Sequence, residues 1–283
     1  GHASLVQIGA NAHEDTSYKN SVESDPGPLG VRLGWQSLLV EPVPQLFARL
    51  AAKYVATPHV SLLNAAVCDA CSDTPIQFHF VDVTNASGNW GSADADARCL
   101  LHSSKDGRPV KHSFIEEVAS LSRNHVMQFE RLFRTQHGWC ERCAAAIGKA
   151  YSQDVWPRSR TPTQEAQTLG PACLRKVISR NIRSTDVKCA CLREELARWA
   201  NVSLLVVDAE GHDHSVLASY PFDAIPTARV VFEATHMSNP DFDRTTALLH
   251  RQGFVYLVGG HKEGLNIWHH AQSHEVLRRN VHS

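Results

Sequence analysis

The sequence contains neither a G-x-G-x-x-G turn nor a G-x-x-x-x-G-K-[ST] loop. The first absence disfavours a dinucleotide, because those glycines let backbone and helix approach a pyrophosphate. The second disfavours a nucleoside triphosphate. An excess of charge of either sign is also missing, the formal net charge being −1. Neither a nucleic-acid groove nor attachment to an anionic membrane surface is therefore indicated, and no nucleic-acid partner is expected. No apolar run approaches the ~20 residues of a membrane span, so none is expected in this chain. A secretory leader is not recognisable either. Gly1-His2 reads as a cloning remnant, and any targeting segment is expected to lie outside this sequence.

What is present begins with an apolar strand, Leu5-Val6-Gln7-Ile8, that runs into Gly9-Ala10-Asn11. Some thirty residues later Ser37-Leu38-Leu39-Val40 ends in Glu41-Pro42. In an open α/β sheet, ligands sit beyond the carboxyl ends of the strands. A glycine at one strand end admits close approach of backbone to a ligand. An acid at the next can accept both hydroxyls of a ribose. The pair reads as a nucleoside site.

The 283 residues, 43% of them hydrophobic, suffice for one large core or two small ones. The expected order starts with strands at 4–9 and 37–41. A helix follows over 43–54, with apolar residues at 43, 46, 47, 50 and 54. A third strand is expected at 60–67, and an antiparallel edge strand at 76–81. Residues 85–186 break the alternation. They are read as an insertion or lid, largely helix and loop, within a single domain spanning 1–283. Helices are expected there at 114–133 and 139–151, and a loop at 152–170. The α/β rhythm returns with a helix at 192–200 and a strand at 202–207 ending in Asp208-Ala209-Glu210-Gly211. A helix through 216–220, a strand at 228–232 ending at Glu233, and a helix over 242–252 come next. A closing hairpin, 254–258 with 265–269, completes the pattern.

Eight cysteines are a high, even count: Cys68, Cys71, Cys99, Cys140, Cys143, Cys173, Cys189 and Cys191. Two N-x-S/T sequons, Asn85-Ala86-Ser87 and Asn201-Val202-Ser203, accompany them. Together they tilt toward an oxidising lumen such as that of the secretory pathway or Golgi. A cytosolic chain with free thiols stays open. Under the luminal reading, bridges would fasten Cys140 and Cys143 to Cys189 and Cys191, and Cys68 could close locally on Cys71. A structural zinc ion held by Cys140, Cys143, Cys189 and Cys191 is the third option.

Four segments resemble the FkbM-type S-adenosylmethionine-dependent methyltransferases. They are Val6-Gln7-Ile8-Gly9-Ala10-Asn11; the stretch Gly34 to Pro44, with its W-x-x-x-L-V-E-P-x-P form; Asn64-Ala65-Ala66-Val67; and Leu204 to Asp213, a D-x-E-G-x-E/D signature. Val231-Phe232-Glu233 fits the following strand end. The likeness covers about 1–84 and 187–270. The sequence departs from it at Asn11-Ala12-His13-Glu14-Asp15, where a glycine is common, and in the length of 85–186. The resemblance implies a class I, Rossmann-like methyltransferase fold: a mostly parallel seven-stranded sheet closed by a C-terminal antiparallel hairpin. It also implies S-adenosylmethionine as cofactor and O-methyl transfer to a small-molecule or glycan acceptor. Gly9 and Asn11 would line the methionine end of the cofactor. Glu41 and Pro42 would flank the ribose, and Asn64 and Ala66 the adenine. Asp208 and Glu210 would face the methionine or the acceptor, and Glu210, Asp213 and Glu233 would make the mouth acidic.

For the chemistry two readings stay open. A base among His212, His214, Glu233 and His236 could take the acceptor proton. Alternatively Asp208 and Glu233 could hold Mg²⁺ through oxygen ligands. A non-catalytic binding or scaffold protein on a degenerate methyltransferase fold is the competing function, since fold does not imply activity.

Overall fold

Apolar runs with no polar face require cover on both sides, and this chain supplies it with helices between its strands. The structure, a computed structural model, describes residues 3–11, 26–68, 74–82, 119–128, 179, 181–260 and 263–271. In chain order the elements are β1 (Ser4–Ile8), α1 (Gly27–Arg32), β2 (Gln36–Val40), α2 (Pro44–Tyr54), β3 (Val60–Leu63), β4 (Ala66–Val67), β5 (Ile76–Val81), β6 (Ala119–Ser120), α3 (Arg123–Gln128), β7 (Ile182–Val187), β8 (Cys189–Ala190), α4 (Leu192–Glu195), β9 (Leu204–Val207), α5 (Asp213–Ser219), β10 (Arg229–Glu233), α6 (Asn239–Arg251), β11 (Phe254–Gly260) and β12 (Glu263–His270). The chain divides into two compact units, residues 1–76 with 186–283, and residues 77–185.

The first unit is built on a seven-stranded sheet of order β11-β12-β10-β9-β1-β2-β3. The five strands from β3 to β10 run parallel. β12 is antiparallel to both β10 and β11. Chain order runs outward from β1 in both directions, so the sheet has its switch point between β1 and β9, where open α/β sheets bind ligands. The two-residue period of the strands sorts the core into two faces. Leu5, Leu39 and Val206 pack with Val31 of α1 and Leu50 of α2. Val6, Leu38, Leu205 and Phe232 pack on the other side with Leu217 of α5 and Leu249 of α6. Fully burying each such side chain is worth about 1.5–3 kcal/mol.

Several expected elements differ. The strand foreseen at 60–67 divides, because β4 leaves the main sheet to pair with β8. Asn64 sits at the break, its Nδ2 donating to the carbonyls of Glu41 (2.7 Å) and Pro42 (3.2 Å). Those bonds hold the end of β3 against the end of β2. The helix foreseen over 192–200 is shorter, Leu192–Glu195 followed by turns.

The pairing of β4 with β8 brings Cys68 and Cys189 to a Cα separation of 5.7 Å, and their sulfurs are bonded. Cys68 is thus not bridged to Cys71. Cys191 is likewise disulfide-bonded. A zinc site drawing on Cys189 and Cys191 is therefore unsupported, since zinc binds thiolates and these sulfurs are oxidised.

In the second unit β5 lies between β6 and β7, so it is central rather than an edge strand. It pairs antiparallel with β6. The helix foreseen over 114–133 is corrected at its start. Ala119–Ser120 is a strand, and the helix begins at Arg123. Ser122 decides this, its Oγ accepting the His125 N–H (3.3 Å) as an N-cap would. The helix expected at 139–151 and the loop at 152–170 lie outside the described residues.

Candidate active site

β1 ends in a turn that only glycine can begin. Gly9 has φ +76°, and a Cβ placed there would lie 1.9 Å from the backbone oxygen of Asp208. The N–H groups of Gly9 and Ala10 both donate to the carbonyl of Val40 (3.0 Å each). Asn11 follows with φ 50°, the left-handed region that Asn tolerates better than most residues. Its N–H donates to Glu41 Oε2 at 2.8 Å. Glu41 Oε1 accepts the N–H of Val43 at 2.8 Å. With only 3% of its surface exposed, Glu41 fastens the turn after β1 to the turn after β2. Each carboxylate oxygen has two lone pairs, so the group can accept more bonds than these two.

The second half of the site follows β9. Asp208, Glu210 and Glu233 place carboxylate oxygens within 4.8 Å of one another. Glu210 adopts φ 48° and Gly211 φ 89°, a tight left-handed pair. Asp213, 1% exposed, locks this turn from below. Its carboxyl accepts the N–H groups of Ala209 (3.1 Å) and Gly211 (3.2 Å). Burial pushes the Asp213 carboxyl up to about 8 against the lowering pull of those donors, the charges of Glu233 and Glu210 adding to the rise. Asp208 keeps part of its surface exposed, but its Oδ1 is buried and has no hydrogen-bond partner among the described residues. Burial drives the Asp208 carboxyl well above the usual range. The charges of Glu233, Glu210 and Asp213 and a hydrogen bond with Glu233 add to it. Beside this group, His236 Nε2 lies 3.5 Å from Glu210 Oε2.

The structure brings together Gly9, Asn11 and Glu41 at one strand-end turn, and Asp208, Glu210, Glu233 and His236 at the next. Pro42 and Asn64 join the first group through the Asn64 amide. Ala66 is buried in β4, paired with Cys189. His212 is the N-cap residue of α5. One expectation is corrected. Asp213 does not acidify the mouth, being buried under its own loop. His214 Nδ1 meets Thr245 Oγ1 at 2.9 Å, a contact that ties α5 to α6. The double grip of Glu41 on backbone N–H groups had no signal in the sequence beyond the acid itself.

The sequence pattern described as Methyltransferase FkbM domain matches residues 7–256. The chain belongs to the FkbM methyltransferase family. Its sheet is accordingly that of a class I methyltransferase, and the family's cofactor is S-adenosylmethionine. Comparison with curated proteins gives no match. Among solved structures, phosphoethanolamine N-methyltransferase 1 of Haemonchus contortus, determined with phosphoethanolamine and S-adenosylhomocysteine, has 10% identity and a TM-score of 0.18. That alignment covers 95% of this chain and 87% of the other. A likeness at that level carries no argument about this FkbM domain.

Proposed function

We propose that this FkbM domain transfers a methyl group from S-adenosylmethionine to a hydroxyl of a sugar, glycan or related small natural product. The observation that carries the oxygen assignment is the His236–Glu210 pair (3.5 Å) beside the carboxyls of Asp208 and Glu233. When bound, S-adenosylmethionine supplies a methyl carbon made electrophilic by its sulfonium sulfur. The remaining work falls to the chain, which must hold a hydroxyl in line and take its proton. His236 would act as the base through the ring nitrogen that does not face Glu210, while the Glu210 carboxylate beside Nε2 orients the ring and favours the protonated form that results. Asp208 and Glu233 would receive the acceptor through hydrogen bonds. Alignment of the two partners would supply a large part of the rate.

The residues fit the cofactor. Gly9 leaves the strand end bare of a side chain, Glu41 places an acid at the end of β2 where a ribose would lie, and Asp208 Oδ1 is a buried acceptor without a partner among the described residues. Asn11 would line the methionine end, Asn64 and Ala66 the adenine, and Glu210 the edge between cofactor and acceptor. We read residues 85–186 as an insertion within one methyltransferase domain, because the family match runs on through 256.

A panel of polyol, glycan, phenolic and amine acceptors, followed by S-adenosylhomocysteine release, tests the assignment. Hydroxyl acceptors should turn over. His236→Ala should lower kcat by about 10²–10⁴ while leaving cofactor affinity intact. Exclusive transfer to amines would overturn the oxygen assignment. Cofactor binding without turnover on any acceptor would favour the scaffold reading.

A second mechanism has its own observation, the three carboxylates within 4.8 Å and an Asp208 Oδ1 that has no partner among the described residues. Such oxygens suit Mg²⁺, which would acidify the hydroxyl in place of a base. Activity abolished by a chelator and restored by Mg²⁺ would select it. Activity unchanged by the chelator would leave His236 as the base.

A further inference from the structure

We propose that Asn201 is an N-glycosylation site, and that its glycan is added before β1 docks against β9. Asn201-Val202-Ser203 is an N-x-S sequon with no proline at its centre. In the fold Asn201 is exposed, while Val202 is anchored beside it at 1% exposure. The sequon therefore has a fixed base and a protruding asparagine. It lies at the amino end of β9, whereas Asp208 lies at the carboxyl end, up to roughly 20 Å along the chain. A glycan there leaves the strand-end site clear.

The contacts of Asn201 are compatible with the modification. Ser4 Oγ reaches its backbone carbonyl (2.9 Å) and its side-chain Oδ1 (3.4 Å). A glycosidic bond to Nδ2 preserves both oxygens as acceptors. In the transfer, Nδ2 forms a bond to C1 of the first sugar of a lipid-pyrophosphate oligosaccharide. The bond from C1 to the pyrophosphate oxygen breaks, the lipid pyrophosphate departs, and Nδ2 loses one proton. No oxidant or reductant is needed.

Two further observations set place and time. The Cys68–Cys189 bond and the bonded state of Cys191 fit an oxidising compartment, the kind in which this transfer occurs. Ser203, whose hydroxyl completes the sequon, is engaged in the folded protein. Its N–H donates to Ser4 Oγ and its Oγ accepts the Ser4 N–H, both at 3.1 Å. Ser4 belongs to β1, some two hundred residues earlier, so this clasp forms only when the sheet closes. The hydroxyl is free for recognition before closure and occupied after it.

The test is amidase release of N-glycans in heavy-oxygen water from the protein recovered from the cells that make it. Peptide mass spectrometry follows. Conversion of Asn201 to an aspartate that carries heavy oxygen is the expected result. In parallel, Asn201→Gln should remove one glycan's mobility shift, whereas Asn85→Gln and Ser203→Thr should leave the shift at 201 in place. Unmodified Asn201 in folded protein with Cys68 joined to Cys189 would overturn the proposal, as would free thiols at both cysteines with Asn201 bare. If Asn201→Gln is not recovered in folded form, the mapping on unaltered protein decides alone.

Discussion

Glu41 accepts two backbone N–H bonds from turns that follow different strands, so its removal strands two donors at once. Each buried donor left without a partner costs about 1–3 kcal/mol. Glu41→Ala should lower unfolding free energy by about 2–6 kcal/mol in a urea titration and weaken cofactor binding besides. Unchanged stability would mean that the carboxylate is not the clasp described. Asp213 and Asp208 make a prediction about pH. Their folded carboxyls hold protons more tightly than the ordinary value of 3.8, Asp213 up to about 8. As pH rises from about 4 to about 8 the unfolded chain has released protons that the folded chain still holds. Stability should therefore be greatest for these groups at the low end and fall as pH rises, by at most about 1.4 kcal/mol per pH unit for each. Urea titrations at pH 6 and 8 check this. Asp213→Asn should flatten the slope, and a slope that rises with pH would contradict it.

At the scale of elements, α6 shows how a helix start is written. Ser238 caps it by accepting the Asp241 N–H (3.2 Å), Pro240 stands in the first turn, and Asp241 adds negative charge near the helix N-terminus. Ser238→Ala should cost about 1 kcal/mol in thermal or urea unfolding. A loss below a few tenths would show the cap to be idle. The start of α6 was not read this way, the helix being expected from 242 and beginning at Asn239, whereas the strands and their ends were legible because their determinants are local. The apolar runs of β1, β2, β9 and β10 and the glycine and acids that end them fall where the pattern put them. What was not legible depends on partners far along the chain. Nothing in Asn64-Ala65-Ala66-Val67 says that β4 will turn away to a strand beginning at Cys189. The acid of Asp213 reads as solvent-facing because only the closed turn at Glu210 and Gly211 supplies the N–H groups that draw it inward. The 114–133 periodicity is real in composition, yet Ala119–Ser120 follow the pairing offered by His79 and Phe80.

Across the whole molecule, the Cys68–Cys189 bond closes a sequence separation of 121 residues within the first unit. A loop of that length constrains the unfolded chain strongly, worth about 2–5 kcal/mol. Replacing both cysteines by alanine should lower the unfolding free energy by that amount, and reduction of the unaltered protein, which also opens the bond at Cys191, should lower it by at least as much. Equal stability with and without the bond would place the two β4–β8 strands among contacts that fold without it. The ends of β1, β2 and β9 would together form the S-adenosylmethionine site. Titration calorimetry of S-adenosylhomocysteine into the folded protein tests it most directly. A one-to-one heat with a micromolar or tighter Kd, lost in Glu41→Ala protein that is still folded, is the predicted result. No heat from folded, disulfide-bonded protein would contradict it.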